Sequence, residues 1–258
     1  EDLVGGRPGV VHLERNPRGV ADLTAEPRRP RGALGVGRHR QAKVSLPGGC
    51  AWGPRPVDLH LKGMEAMGIK ITLEEGYVLA EAEESLSGKE FTLNPSSVGA
   101  TVNILLAGVL RAEEFTLRNA AIEPDVVQLC NVLSHMGANI EGIGTQTLTI
   151  RKADKLVAKE IRNDPDRIEM GTYMIAAAMN PGSELEITGG NPDHLGSFLK
   201  EFEKTGALLD FNGPVVKVTA PDELKPVSIE TAIYPGFPTD LQAQWSTMMT
   251  QATGQSTV

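Results

Sequence analysis

Three glycines recur at one fixed interval, and they constrain the fold more than anything else in the chain. Gly68, Gly137 and Gly206 are 69 residues apart each time. An apolar stripe at spacings of three and four precedes each: Val57, Leu61, Met64, Met67; then Val126, Leu129, Leu133, Met136; then Leu195, Phe198, Phe202. That spacing marks one face of a helix, and a glycine just beyond it suits a C-cap. A strand pair is expected after each glycine: Ile69 to Leu73 with Tyr77 to Ala80, Asn139 to Ile143 with Thr147 to Ile150, and Leu208 to Phe211 with Val215 to Val218. A second helix type opens near Ser96 and Ser97 and runs to about Leu110; another opens near Asp166 and runs to about Met179. A third opens at Thr239 or Asp240 and continues past Met248. The repeating unit is helix, strand, helix, strand, strand, which makes the chain α/β with internal pseudo-symmetry.

The first 41 residues lack this periodicity. They hold eight arginines, no lysine and four prolines; eight Arg against five Asp and Glu leaves them at +3, so the remainder carries −11 of the total −8. No packed structure is expected there. Disorder, a frame-shifted or mis-joined coding segment, and a functional basic arm are the three readings. The overall charge and a pI near 5.2 argue against a general nucleic-acid or membrane-surface binder. No apolar run approaches bilayer length and no secretory leader is visible, so a cytoplasmic protein is expected.

Two cysteines make no disulfide framework. Cys130 lies four residues after Val126 on a helical apolar face and reads as core. Cys50 is different. It follows Gly48 and Gly49 in SLPGGCAWGPRPVDLH, from Ser45 to His60, and Arg55, Pro56, Val57 and Asp58 come soon after. The glycines leave the backbone uncrowded, and Pro56 suits the first turn of a helix. Arg55 would then sit at a helix start, where backbone donors favour anions. A thiol, a guanidinium and a helix N-terminus suit an anionic substrate; a glycine-rich turn with a buried cysteine is the plainer alternative.

That string resembles the active-site loop of the UDP-N-acetylglucosamine 1-carboxyvinyltransferase family of enolpyruvyl transferases. The resemblance continues through SVGAT (Ser97 to Thr101), NAAIEPD (Asn119 to Asp125), PDRIEMGTY (Pro165 to Tyr173) and YPGFPTDLQAQ (Tyr234 to Gln244). It covers about residues 42–258. It implies a two-domain inverted α/β barrel of repeated βαβαββ units, here incomplete, with a first domain at 42–164 and part of a second at 165–258. The implied reaction moves the enolpyruvyl group of phosphoenolpyruvate to the 3-hydroxyl of UDP-N-acetylglucosamine, with loss of phosphate, in peptidoglycan synthesis. No metal or organic cofactor, nucleic acid or membrane is implied.

The resemblance also assigns residues. Cys50 takes part in protonating the enolpyruvyl methylene, and in the family it is the residue that fosfomycin alkylates. Asp240 is the candidate base for the sugar hydroxyl; locally, Asp at a helix start is also a common N-cap. Arg55 would fork onto phosphate oxygens. Pro56, Val57, Asp58 and Leu59 match the segment that contacts the UDP-sugar, and so do Pro95, Ser96, Ser97 and Val98, which equally read as a plain helix cap. Arg167 matches an arginine near the domain junction, or else bridges to Glu169 or Asp166. There are departures. A lysine is frequent in the family where Pro95 stands. The family's N-terminal lysine and asparagine, the arginine before the cysteine loop, and the final repeats with their phosphate-binding arginines have no match, so impaired turnover is expected. The alternatives are a non-catalytic UDP-sugar-binding or regulatory protein, and a 3-phosphoshikimate enolpyruvyl transferase, a family without the Gly-Gly-Cys loop.

Overall fold

The computed structural model describes residues 32–47, 56–213 and 215–258. They fall into two compact units, 32–162 and 163–258, each with its own apolar core. The division lies two residues before the expected domain boundary.

The first unit contains the helix–strand–helix–hairpin pattern twice. Its first copy is α1 (Gly32–His39), β1 (Gln41–Ser45), α2 (Asp58–Met67), β2 (Lys70–Glu74) and β3 (Tyr77–Glu81). A short strand, β4 (Glu90–Thr92), leads into the second copy: α3 (Val98–Gly108), β5 (Phe115–Arg118), α4 (Pro124–His135), β6 (Asn139–Glu141) and β7 (Thr147–Arg151). In both sheets the last strand of the copy is internal, in the orders β1–β3–β2 and β4–β5–β7–β6. All pairs are antiparallel except β4 with β5. In the first sheet the buried Ala80 pairs with the buried Ala42 on one side and with Ile71 on the other.

The second unit repeats the pattern once: α5 (Arg167–Ala178), β8 (Glu184–Thr188), α6 (Gly196–Lys204), β9 (Leu208–Asn212) and β10 (Val215–Thr219). Its sheet is antiparallel in the order β8–β10–β9. A 3-10 turn at Thr239–Leu241 then leads into α7 (Gln242–Met249).

The three spaced glycines close α2, α4 and α6 with φ of 104°, 109° and 96°. The Gly68 N–H donates to the Glu65 carbonyl and the Ile69 N–H reaches back to Met64. Gly137 and Ala138 do the same to Ser134 and Leu133. This paired return satisfies the last helical carbonyls, and it needs a residue that tolerates the left-handed region. The chain therefore turns directly from each helix into its hairpin. The stripes face inward: Met64, Met67, Val126, Leu133, Phe198 and Phe202 are buried.

One expectation is corrected. Residues 32–41 are not structureless: they form α1 and the first residue of β1. Ala33 and Val36 are 2% and 1% exposed, and they belong to the first unit's core. Arg111 locks the helix end, donating from its guanidinium to the Gly37 and Arg38 carbonyls at 2.9 and 3.1 Å. Tertiary contacts stabilise a glycine-rich helix that propensity alone disfavours. Residues 1–31 lie outside the described residues.

Candidate active site

The cysteine loop, with Cys50 and Arg55, lies outside the described residues. Its exit is described. Pro56 is exposed and precedes the helix instead of entering its first turn. Val57 is the N-cap of α2, with no side-chain bond to the helix, and its carbonyl accepts from the Leu61 N–H at 3.1 Å. Asp58 opens the helix, exposed and 3.4 Å from Lys62, and Leu59 is half-buried. An exposed pair of this kind contributes little.

Pro95, Ser96, Ser97 and Val98 form the entry to α3. Ser97 is a true cap: extended at φ −146°, its Oγ accepts from the Ala100 N–H at 3.2 Å. Val98 remains 38% exposed despite its apolar side chain. The NAAIEPD segment sets this entry in place. Asn119, at φ 52°, donates from Nδ2 to the Leu93 carbonyl at 2.9 Å, just ahead of Pro95. The Ala121 N–H donates to the buried Thr101 Oγ1 at 3.0 Å.

The starts of α2 and α3 are neighbours. His60, on the first turn of α2, meets the first two turns of α3: its ring lies against Gly99, and Asn103 Nδ2 lies 2.9 Å from His60 Nδ1. Burial pushes the His60 imidazole below its ordinary 6.5, and Asp58 opposes this only in part. Sequence reasoning passed over both residues. Asn103 is an amide within the apolar α3, four residues after Gly99, and that was the signal available.

In the second unit, Asp166 caps α5, its Oδ1 accepting from the Ile168 and Glu169 N–H groups at 2.8 and 3.1 Å. Arg167 is the first residue of that helix, and its guanidinium stacks 5.7 Å from the centre of the Tyr234 ring. Gln244 Nε2 donates to Thr172 Oγ1 at 3.1 Å and ties α7 to α5. Asp240 sits in the 3-10 turn that precedes α7. The residue before it in space and sequence, Thr239, follows Pro238, whose carbonyl accepts from the Leu241 N–H at 3.0 Å. Phe237, Leu241 and Trp245 are buried around it; the Phe237 and Trp245 rings meet edge-on at 5.2 Å. Asp240 itself is exposed, and its carboxylate makes no hydrogen bond or ion pair among the described residues. The N-cap alternative for Asp240 is therefore set aside: Pro238 and Leu241 hold the cap positions.

Among the described residues no group of His, Cys, Asp or Glu is arranged to hold a metal ion, and no helix is long and apolar enough to cross a membrane.

The sequence model of the EPSP synthase (3-phosphoshikimate 1-carboxyvinyltransferase) family matches residues 32–258, beginning at the first residue of α1. The UDP-N-acetylglucosamine 1-carboxyvinyltransferase of Chlorobaculum parvum is 49% identical over 224 residues, covering 86% of this chain and 53% of that protein. The protein of the same name from Koribacter versatilis is 43% identical over 245 residues, covering 94% of this chain and 56% of its own. The chain thus spans about half the length of the curated relatives it matches. In three dimensions it resembles the enolpyruvyl transferase NikO from Streptomyces tendae, with a TM-score of 0.73 at 24% identity over 86% of this chain and 53% of that one. EPSP synthase from Acinetobacter baumannii gives 0.55 at 20% identity over 77% and 47%. With the family model matching residues 32–258 and relatives 43–49% identical, the chain belongs to the EPSP synthase family of enolpyruvyl transferases, and its curated relatives bear the name UDP-N-acetylglucosamine 1-carboxyvinyltransferase.

Proposed function

We propose that this chain carries the UDP-sugar-binding and acid–base residues for transfer of the enolpyruvyl group from phosphoenolpyruvate to the 3-hydroxyl of UDP-N-acetylglucosamine. The observation that carries the reading is the adjacency of two exposed helix starts, at Val57–Asp58 and Ser97–Val98, in a chain whose relatives bear that activity's name. Helix N-termini present unpaired N–H groups and a positive dipole end, which suit a diphosphate. Pro56, Val57, Asp58, Leu59, Pro95, Ser96, Ser97 and Val98 line this region. Arg55 adds a cation from the loop, and Arg167 opens α5, the helix of the second unit that corresponds to α3.

In the proposed reaction Asp240 takes the proton of the sugar 3-hydroxyl as its oxygen bonds to C2 of phosphoenolpyruvate. Cys50 delivers a proton to the C3 methylene. Loss of a proton from that carbon and departure of phosphate restore the double bond in the product. An exposed carboxylate on a turn anchored by Phe237, Leu241 and Trp245 is free to accept a proton while its backbone stays fixed. No cofactor enters. Peptidoglycan synthesis and a cytoplasmic setting belong to the same proposal.

A second reading, UDP-sugar binding without turnover, is favoured by Pro95, an exposed uncharged residue where the family frequently has lysine. Calorimetric titration with UDP-N-acetylglucosamine and a phosphate-release assay separate the two. Phosphate release that requires both substrates supports transfer. Saturable binding without release supports the second reading. Neither binding nor release overturns both.

A further inference from the structure

The contact between α2 and α3 is specific at the atomic level. Asn103 Nδ2 lies 2.9 Å from the Gly99 carbonyl and 2.9 Å from His60 Nδ1. A carbonyl oxygen can only accept, so the amide turns its nitrogen toward both partners. One amide hydrogen goes to Gly99 and the other to the ring. His60 Nδ1 is then an acceptor, and the imidazole carries its single hydrogen on Nε2. The ring also lies flush against the α3 backbone: a Cβ at Gly99 would stand 2.9 Å from His60 Cε1 and 3.3 Å from Nε2. Only glycine admits so close an approach at that position.

These contacts join the first turn of α2 to the first two turns of α3, and the starts of these helices form the proposed UDP-sugar site. His60 stands two residues after Asp58, and Gly99 two residues after the Ser97 cap. We propose that His60 and Asn103 are positioning residues for the UDP-sugar diphosphate: the Asn103-to-Nδ1 hydrogen bond holds the starts of α2 and α3 at one separation, so that donors from both meet a single ligand. This inference rests on the UDP-sugar reading above. Neither residue needs to touch the ligand. Their effect is preorganisation, which lowers the ordering cost on binding.

The test uses the full 258-residue chain and calorimetric titration with UDP-N-acetylglucosamine, with a thermal melt for every variant. His60→Leu removes the acceptor and is expected to raise Kd about tenfold, as is Asn103→Leu, while the double variant is no worse than either single. His60→Asn sets an amide oxygen one bond beyond Cγ, where Nδ1 stood, and is expected to restore most of the affinity. A purely structural role would lower the melting temperature without this pattern of loss and rescue. Unchanged affinity in His60→Leu, or equal loss in the Leu and Asn variants, overturns the inference and leaves the function reading standing. If His60→Leu does not fold, Asn103→Leu and His60→Asn decide alone. Failure of the unaltered chain to bind the UDP-sugar overturns the function reading and this inference with it.

Discussion

Gly37 of α1 lies so close to Leu106 of α3 that a Cβ on the glycine would stand 2.6 Å from the Leu106 carbonyl oxygen. The neighbour is backbone, so a methyl group there forces the two helices apart. Two effects compete in Gly37→Ala. Alanine improves intrinsic helix propensity by up to about 1 kcal/mol. Overpacking against a rigid neighbour costs about 1–3 kcal/mol. The clash wins, and the variant is expected to be destabilised by about 1–2 kcal/mol in chemical denaturation. A neutral or stabilised Gly37→Ala would mean that residues 32–39 do not pack as α1.

Cys130 should be chemically silent in the folded chain. It is 1% exposed, and burial pushes its thiol up to about 11. At neutral pH it is therefore protonated and shielded, which removes the thiolate that alkylating reagents require. Limited iodoacetamide or fosfomycin treatment followed by peptide mass spectrometry is expected to modify Cys50 first. Preferential modification of Cys130 would contradict both its burial and the proposed role of Cys50.

The 69-residue glycine interval made most of the fold legible, because a left-handed C-cap is a local demand that only a few residue types meet. The stripe of Met64 and Met67, the Ser97 and Asp166 caps, and the three hairpins follow from equally local rules. Helix α1 did not, although the signal existed. Ser97 and Asp166 are themselves 69 residues apart, so the same period carried back one step points to a helix opening close to residue 28. The glycine-rich composition of GALGVGRH concealed it, since its stability comes from α3 and Arg111 across the chain. The site was legible only as motifs. Asn119 shows the gap: its place in NAAIEPD was readable, but its left-handed φ and its bond to the Leu93 carbonyl depend on the β4–β5 pairing, a parallel contact that no periodicity announces. His60 and Asn103 are 43 residues apart, and neither has a local feature that points to the other.

Asp240 and Trp245 sit five residues apart on one segment and should behave oppositely on substitution. Asp240 is exposed and makes no polar contact among the described residues, so Asp240→Asn is expected to change stability by less than about 0.5 kcal/mol. Under the proposed function it should still lower phosphate release about a hundredfold or more, as removal of a general base does. Trp245 is fully buried, meets Phe198 and Phe237 edge-on, and donates from Nε1 to the Val227 carbonyl at 3.2 Å. Trp245→Ala should cost about 3–5 kcal/mol. A large stability loss in Asp240→Asn would show that its carboxylate holds the fold, and the assignment as base would fall.

His60 gives the chain a pH dependence whose sign follows from its setting. Burial depresses its pKa below the ordinary 6.5, with Asp58 acting weakly the other way. The unfolded chain therefore binds this proton more readily than the folded one. Stability from the neutral ring is fully present above the unfolded value and is lost as pH falls below it toward the folded pKa. Protonation also converts Nδ1 from acceptor to donor and sets it against the Asn103 amide, which is itself a donor. The unaltered chain should lose stability between about pH 7 and pH 5 more steeply than His60→Asn, whose side chain does not titrate. Paired denaturation curves across that range isolate the difference, because carboxylate contributions are common to both proteins. Parallel pH profiles would mean that the imidazole keeps its proton freely in the fold, and the Asn103-to-Nδ1 hydrogen bond would have to be abandoned.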